Sequence, residues 1–238
     1  MRLRKVTPRK LTGSKRRMRA SFPERAHHPP GAVRRSYYMR FKSIVCTLAL
    51  LLAAGGVASA ASQQHVVLAG GCFWGMQAVF EQLRGVDKVV AGYAGGSKET
   101  AHYEIVSGGG TGHAESVDIS YDPSKISFGD LLAVYFKVAH DPTELNRQGP
   151  DTGTQYRSEI FYTTAQQRVA ARRYIAMLTG KHAYSRPIVT QIAQLSGFYP
   201  AEDYHQDFVA HNPYNPYVLI NDKPKLRDLR ADFPSLLK

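Results

Sequence analysis

The chain has 238 residues, enough for one domain of ordinary size or two small ones. Its 31 Lys and Arg outweigh 19 Asp and Glu, but the excess is local: residues 1–60 carry 14 basic residues against Glu24 alone, whereas residues 61–238 carry 17 against 18. Basicity confined to the first 42 residues excludes nucleic-acid binding by the rest of the chain, which has no surplus cations to neutralise phosphates.

Residues 1–38 are Arg-rich, contain "HHPPG" and show no apolar periodicity, so they are predicted to be a disordered basic extension. Translation is expected to start at Met39, which leaves 1–38 upstream of the true start; an unusually long basic leader is the alternative. Residues 39–60 read as a signal peptide: basic Met39-Arg40-Phe41-Lys42, an apolar run from Ile44 to Ala54, then the small-x-small site Ala58-Ser59-Ala60. The run is 11 residues long, short of the roughly 20 a membrane span needs, although an uncleaved membrane anchor remains the alternative. The mature chain, 61–238, is therefore expected in the periplasm or outside the cell. Cleavage after Ala60 removes Cys46 and leaves Cys72 as the lone thiol, so no internal disulfide forms and the cysteine is a candidate reactive group.

The mature chain reads as one domain without repeats. "HVVLAG" (65–70) is a β-branched run ended by glycine, hence a buried strand, and Phe73, Met76, Val79, Phe80 and Leu83 then recur at helical spacing up to Gly85. "VDKVVAGYAGG" resumes as a strand, 101–113 is a Gly-rich loop, and "AESVDISYD" (114–122) alternates as another strand. "SFGDLLAVYFKVAH" (127–140) is an amphipathic helix opened by a serine cap. After a polar loop (141–157), "SEIFYTT" is a strand, "AQQRVAARRYIAML" a helix, "VTQIAQLSGFY" a strand and "AEDYHQDFVAHN" a short last helix. From "NPYNPY" onward the tail is predicted irregular and wrapped on the surface. The order β-α-β-β-α-β-α defines an α+β fold, a mixed-sheet α/β sandwich around a split β-α-β, ferredoxin-like core.

"GGCFWG" (70–75) places Cys72 after a strand and a glycine pair, at the start of a helix. There the free backbone N–H groups and helix dipole favour an anion, so the thiol is expected to be exposed and shifted toward the thiolate. A buried structural thiol is the alternative, since free cysteine is commonly buried. Phe73 and Trp74 cannot both face the core from adjacent helical positions, so one of them is expected to line a cavity beside the sulfur.

"GGCFWGMQAVFEQLRGV", "GYAGG", "HYEIVSGGGTGHAESV", "HDPTELNRQGPDTGTQYRS" and "FYPAEDYHQDF" together resemble the A class of peptide methionine sulfoxide reductases, over roughly residues 65–212. The resemblance implies reduction of the S epimer of methionine sulfoxide, free or protein-bound, to methionine. It implies Cys72 as nucleophile, becoming a sulfenic acid, and Glu115 as an acid whose pKa is raised by burial. Tyr103 and Tyr156 would be phenols that hydrogen-bond the sulfoxide oxygen, and Phe73 and Trp74 walls of the methyl pocket. Asp151 would hold a water near the site, with His205 as its buttress. With the signal peptide, the expected role is repair of oxidised exported proteins; no metal-ligand cluster or nucleotide motif is visible, and a monomer without a bound cofactor is expected.

The chain departs from the family pattern in one respect. The tail carries no cysteine, and position 107, often cysteine in the motif, is Ser107. The sulfenic acid is therefore expected to be reduced directly by an external thiol, either a thioredoxin-like protein or a small thiol. Three other readings stand beside this one: a cysteine hydrolase activated by His113, His140 or His205; an exported binding module with an inert thiol; and a membrane-surface or nucleic-acid protein resting on residues 1–42 alone.

Overall fold

The computed structural model describes residues 63–238. The expectations for 1–38 and for the signal peptide at 39–60 lie outside the described residues. Among the described residues no helix is long and apolar enough to cross a membrane.

Strand β1 (Gln64–Gly70) leads into α1 (Phe73–Glu81), which returns through Gly85 to β2 (Val86–Ala94). Strand β3 (Ala114–Tyr121) then inserts between β1 and β2, antiparallel to both, so β1-α1-β2 is a split β-α-β unit. Helix α3 (Phe128–Val134) extends through a π turn at Tyr135–Ala139, and β4 (Arg147–Gln148) pairs with β5 (Asp151–Thr152). Strand β6 (Ser158–Tyr162) then pairs antiparallel with the outer edge of β1 and leads into α4 (Ala165–Gly180). These four strands take the order β6-β1-β3-β2, the ferredoxin-like arrangement expected from the sequence. Helix α3 opens on the expected serine: Ser127 Oγ accepts from the Asp130 N–H, and the Asp130 carboxylate accepts from the Ser127 N–H.

Two apolar layers sandwich the sheet. Alternate residues of β1 point to opposite faces, Val66 and Leu68 into the large core beneath α1 and α3, Val67 and Ala69 into a smaller one with Phe161, Leu195 and Phe198. Burial on both faces explains why this strand reads as a continuous apolar run.

Four elements differ from the sequence expectation. "VTQIAQLSGFY" is two strands, not one: β7 (Gln191–Gln194) lies parallel to β6 at one edge of the sheet, and β8 (Phe198–Pro200) antiparallel to β2 at the other. Four residue steps reach about 14 Å at most, whereas five strand spacings in a flat sheet would be about 24 Å, so the sheet must curl until its edges approach. The supposed loop at 101–113 contains a helical turn, α2 (Tyr103–Val106). The single helix expected over 201–212 is a tight turn at Asp203–His205 followed by α5 (Phe208–His211), divided at Asp207 by a left-handed backbone (φ 52°).

The tail is the largest departure. A π turn at Val218–Asp222 runs into α6 (Lys223–Asp232), with Pro224 in its first turn, where the absent N–H is no loss. Val218 and Leu229 are fully buried, and Leu237 bridges back to Leu83. Sequence polarity misleads here because α6 buries only one side, and its apolar residues are spread among six charged ones.

Candidate active site

The site is built at the junction of β1 and α1. Gly71 turns the chain with φ +88°, and a side chain on it would collide with Gln148. Cys72 is the N-cap of α1, and the helix has no capping side chain and no acid of its own in its first turn. Glu115 supplies one from β3: its Oε2 accepts the Phe73 N–H at 3.1 Å. The cap thus comes from a residue 42 positions away, brought there by the insertion of β3 between the other two strands.

Cys72, Phe73, Trp74, Tyr103, Glu115, Asp151, Tyr156 and Tyr217 together line a cavity of about 180 Å³. Of the sequence-predicted residues, only His205 stands outside this lining; it sits behind it. His205 Nδ1 accepts from Trp74 Nε1 at 3.1 Å, and its ring lies 4.4 Å from Tyr103 and 5.0 Å from Phe73. It therefore braces the aromatic wall, while Asp151 is held by another group, the hydroxyl of Tyr217, which donates to its Oδ2. Both Phe73, almost fully buried, and Trp74, partly exposed, reach the cavity. Helical geometry called for one of the pair beside the sulfur and the family resemblance named both; both line the cavity, which sits over the first turn and takes adjacent residues. Trp74 is also stacked on Phe208, with ring centroids 3.6 Å apart.

Two groups escaped the sequence reading. Tyr217 belongs to the second of two successive Asn-Pro-Tyr triplets; Tyr214 of the first is 84% exposed, and nothing in the triplets separates them. Glu202 positions Tyr103 by accepting its N–H at Oε1 (2.9 Å) and the Tyr93 hydroxyl at Oε2 (2.8 Å). The run "AEDYH" offered a signal in the acid just before the histidine turn, but its partner 99 residues away is set only by the fold.

The electrostatics correct the expected exposed thiolate. Cys72 is 8% exposed, and burial first, then the charges of Glu115, Asp222 and Asp151, push its thiol well up. A hydrogen bond from the Trp74 N–H opposes them and loses, because one backbone donor at the helix start offsets less than desolvation beside several carboxyls. Glu115 behaves as expected: buried at 2% exposure, with Asp151 nearby, its carboxyl is pushed up to about 8. The free site therefore holds its protons, a thiol beside a carboxylic acid. Burial, then the charges of Glu115 and other neighbouring groups, push Tyr103 and Tyr156 up as well, so both remain hydrogen-bond donors.

None of the three histidines a hydrolase would need lines the cavity. His113 bonds the Ser97 carbonyl, His140 the Tyr135 carbonyl and His205 the Trp74 indole. The Cys–His pair of that reading is absent among the described residues. No cluster of potential metal ligands occurs among them either.

An α+β fold that buries one cysteine in a cavity of aromatics, phenols and a protonated carboxylic acid defines a thiol-based oxidoreductase. Residues 64–236 match the family model described as peptide methionine sulfoxide reductase. The chain is 54% identical over 175 residues to peptide methionine sulfoxide reductase MsrA 2 of Synechocystis, covering 74% of this chain and 82% of the relative. It is 56% identical over 170 residues to MsrA 2 of Mesorhizobium japonicum, covering 71% and 87%. Methionine sulfoxide reductase A of Corynebacterium diphtheriae superimposes with a TM-score of 0.61 at 35% identity, covering 65% of this chain and 78% of that one. Reduced Mxr1 of Saccharomyces cerevisiae gives 0.60 at 33%, covering 64% and 87%. The chain belongs to the peptide methionine sulfoxide reductase family, in its A class, and its activity is the thiol-dependent reduction of methionine sulfoxide.

Proposed function

We infer that this enzyme reduces the S epimer of methionine sulfoxide through a Cys72 sulfenic acid that an external thiol then reduces. The observation that carries the reading is the pairing of the one thiol among the described residues with a carboxylic acid that keeps its proton at neutral pH, in one cavity.

The sulfoxide oxygen lies toward Tyr103, Tyr156 and Glu115, whose O–H groups stabilise charge as the S–O bond polarises. Glu115 gives its proton to that oxygen and takes the proton of Cys72 as Sγ bonds the sulfoxide sulfur. The oxygen passes to Sγ as the sulfur–sulfur bond breaks, leaving Cys72 as sulfenic acid and the substrate as thioether. One thiol and one sulfoxide become one sulfenic acid and one thioether, with no other redox partner. The S-methyl group sits against Phe73 and Trp74, where sulfur–aromatic contact suits a methionine-like ligand.

An external thiol then condenses with the sulfenic acid, forming a mixed disulfide and releasing water, and a second thiol frees Cys72. Ser107 and the cysteine-free tail support this route, since neither can supply an internal resolving sulfur. With a leader that carries Cys46 away, the substrates are oxidised proteins of the periplasm or cell exterior, alongside free methionine sulfoxide, and the reductant is a thioredoxin-like protein or small thiol of that compartment. The enzyme acts as a monomer.

A single-turnover assay without reductant tests the scheme. Wild type is expected to convert one equivalent of the S epimer, leave the R epimer intact and gain one oxygen at Cys72 by mass spectrometry, while Cys72→Ser converts neither. A stoichiometric intramolecular disulfide, or turnover by Cys72→Ser, would rule it out.

A further inference from the structure

Asp222 is 1% exposed, and neither Oδ1 nor Oδ2 has a hydrogen-bond partner. Native interiors rarely leave a buried carboxylate in that state, because it keeps the desolvation penalty without the compensating bonds. Its position explains its retention. The carboxylate lies against Gly75, in the first turn of α1, and a Cβ on Gly75 would collide with Oδ1; Lys225 Nζ would stand 3.2 Å from that Cβ. Helix α1 has no acid in its own first turn, so the C-terminal segment supplies one from outside.

We propose that Asp222 is a positioning residue for the nucleophile: seated in the space that Gly75 leaves empty, its negative charge opposes the positive end of α1 and holds Cys72 as a thiol. This rests on Cys72 being the reacting group. The charged and titratable groups that face Asp222 are Lys225 on its own helix, Asp151 from β5 (Asp151–Thr152), Tyr217 from the turn before it, and Cys72. Burial, with Asp151 adding to it and Lys225 opposing, pushes Asp222 up to about 6, so at neutral pH it is mainly ionised. Among the charges acting on Cys72 it is second to Glu115, and unlike Glu115 it does not line the cavity. Its effect thus reaches Cys72 without touching substrate. A nucleophile kept protonated is protected from over-oxidation, which follows thiolate character. That protection matters most where Ser107 and the tail offer no resolving cysteine.

The test is the pH dependence of Cys72 alkylation by iodoacetamide, with the modified peptide followed by mass spectrometry. In Asp222→Asn the midpoint of the profile is expected to fall by about half a pH unit or more, which makes alkylation at pH 7 about threefold faster. Inactivation by hydrogen peroxide at pH 7 is expected to accelerate by a similar factor. A merely structural role would loosen the site and speed alkylation at every pH with the midpoint unmoved. Gly75→Ala, which keeps the carboxylate but drives it away, is expected to shift the midpoint in the same direction and carries the test if Asp222→Asn does not fold. An unshifted or raised midpoint in either folded variant overturns the proposal. Alkylation does not involve sulfoxide, so failure of the reductase reading would show separately, as lost sulfoxide reduction by wild type.

Discussion

At the scale of the residue, the chemistry turns on two neighbours, Cys72 and Glu115, that both keep their protons in the free site. A cysteine at a helix start beside Arg or Lys would ionise; Cys72 instead faces Glu115, Asp151 and Asp222, and burial sharpens each repulsion. In the proposed scheme Glu115 is the acid that the attack on sulfoxide draws on, so Glu115→Gln should lower single-turnover sulfoxide reduction by about 10²–10⁴-fold. The variant should leave Cys72 open to alkylation. The wild-type rate should fall as pH rises through about 8, where the carboxyl gives up its proton, and Glu115→Gln should lack that limb. Comparable reduction rates in the two proteins would remove Glu115 from the mechanism. The motif singled out Glu115, Tyr103 and Tyr156 as candidates. It could not single out Tyr217, because two identical Asn-Pro-Tyr triplets meet different fates once the chain folds.

At the scale of the element, α1 carries Cys72 at its N-cap but depends on others for its charge balance and its packing. It takes a cap from β3, an indole brace from the turn at Asp203–His205, and a carboxylate and an apolar floor from the C-terminal segment. Leu229 of α6 is fully buried in the main core, so Leu229→Ala should cost about 2–5 kcal/mol of stability. Urea denaturation should show this as a lowered midpoint with an unchanged slope. A change below about 0.5 kcal/mol, the usual range for surface substitutions, would mean that the tail does not pack as described. The sequence made that tail look irregular because its few apolar residues are separated by Lys, Arg and Asp. Helical periodicity is hard to detect when the buried stripe is narrow.

At the scale of the whole molecule, the fold buries ionisable groups that resist charging, Glu115, His140 and His205 among them, and this shapes the pH dependence of folding. The Glu115 carboxyl, buried, holds its proton up to about 8 when folded but releases it near 4 when unfolded. Its folded pKa is raised, so its contribution is complete below about 4 and is lost as pH rises toward 8. His140 and His205 act in the opposite sense: burial lowers both, so they favour the folded state above about 6.5 and oppose it below. Between pH 6.5 and 8 the histidines add only the last fraction of their contribution, whereas the carboxyl loses its own throughout. Stability should therefore decline across that interval, and less steeply in Glu115→Gln. Thermal or urea melts at pH 6.5 and 8 provide the check; a wild-type stability that rises over the interval would contradict the assignment.

The amino-acid order by itself determined the secondary-structure alternation, the split β-α-β core and the family, because periodicity, glycine punctuation and a run of local motifs are properties of neighbouring residues. It also determined that the described chain has one thiol to work with. Only the tertiary structure decided that this sulfur is a buried thiol and not an exposed thiolate, that "VTQIAQLSGFY" divides between opposite sheet edges, that Tyr217 shares the cavity with Cys72, and that Asp222 packs against Gly75. The reason is physical: burial and Coulomb interaction depend on distance through space, and the carboxyls that set the state of Cys72 lie 43, 79 and 150 positions away from it along the chain.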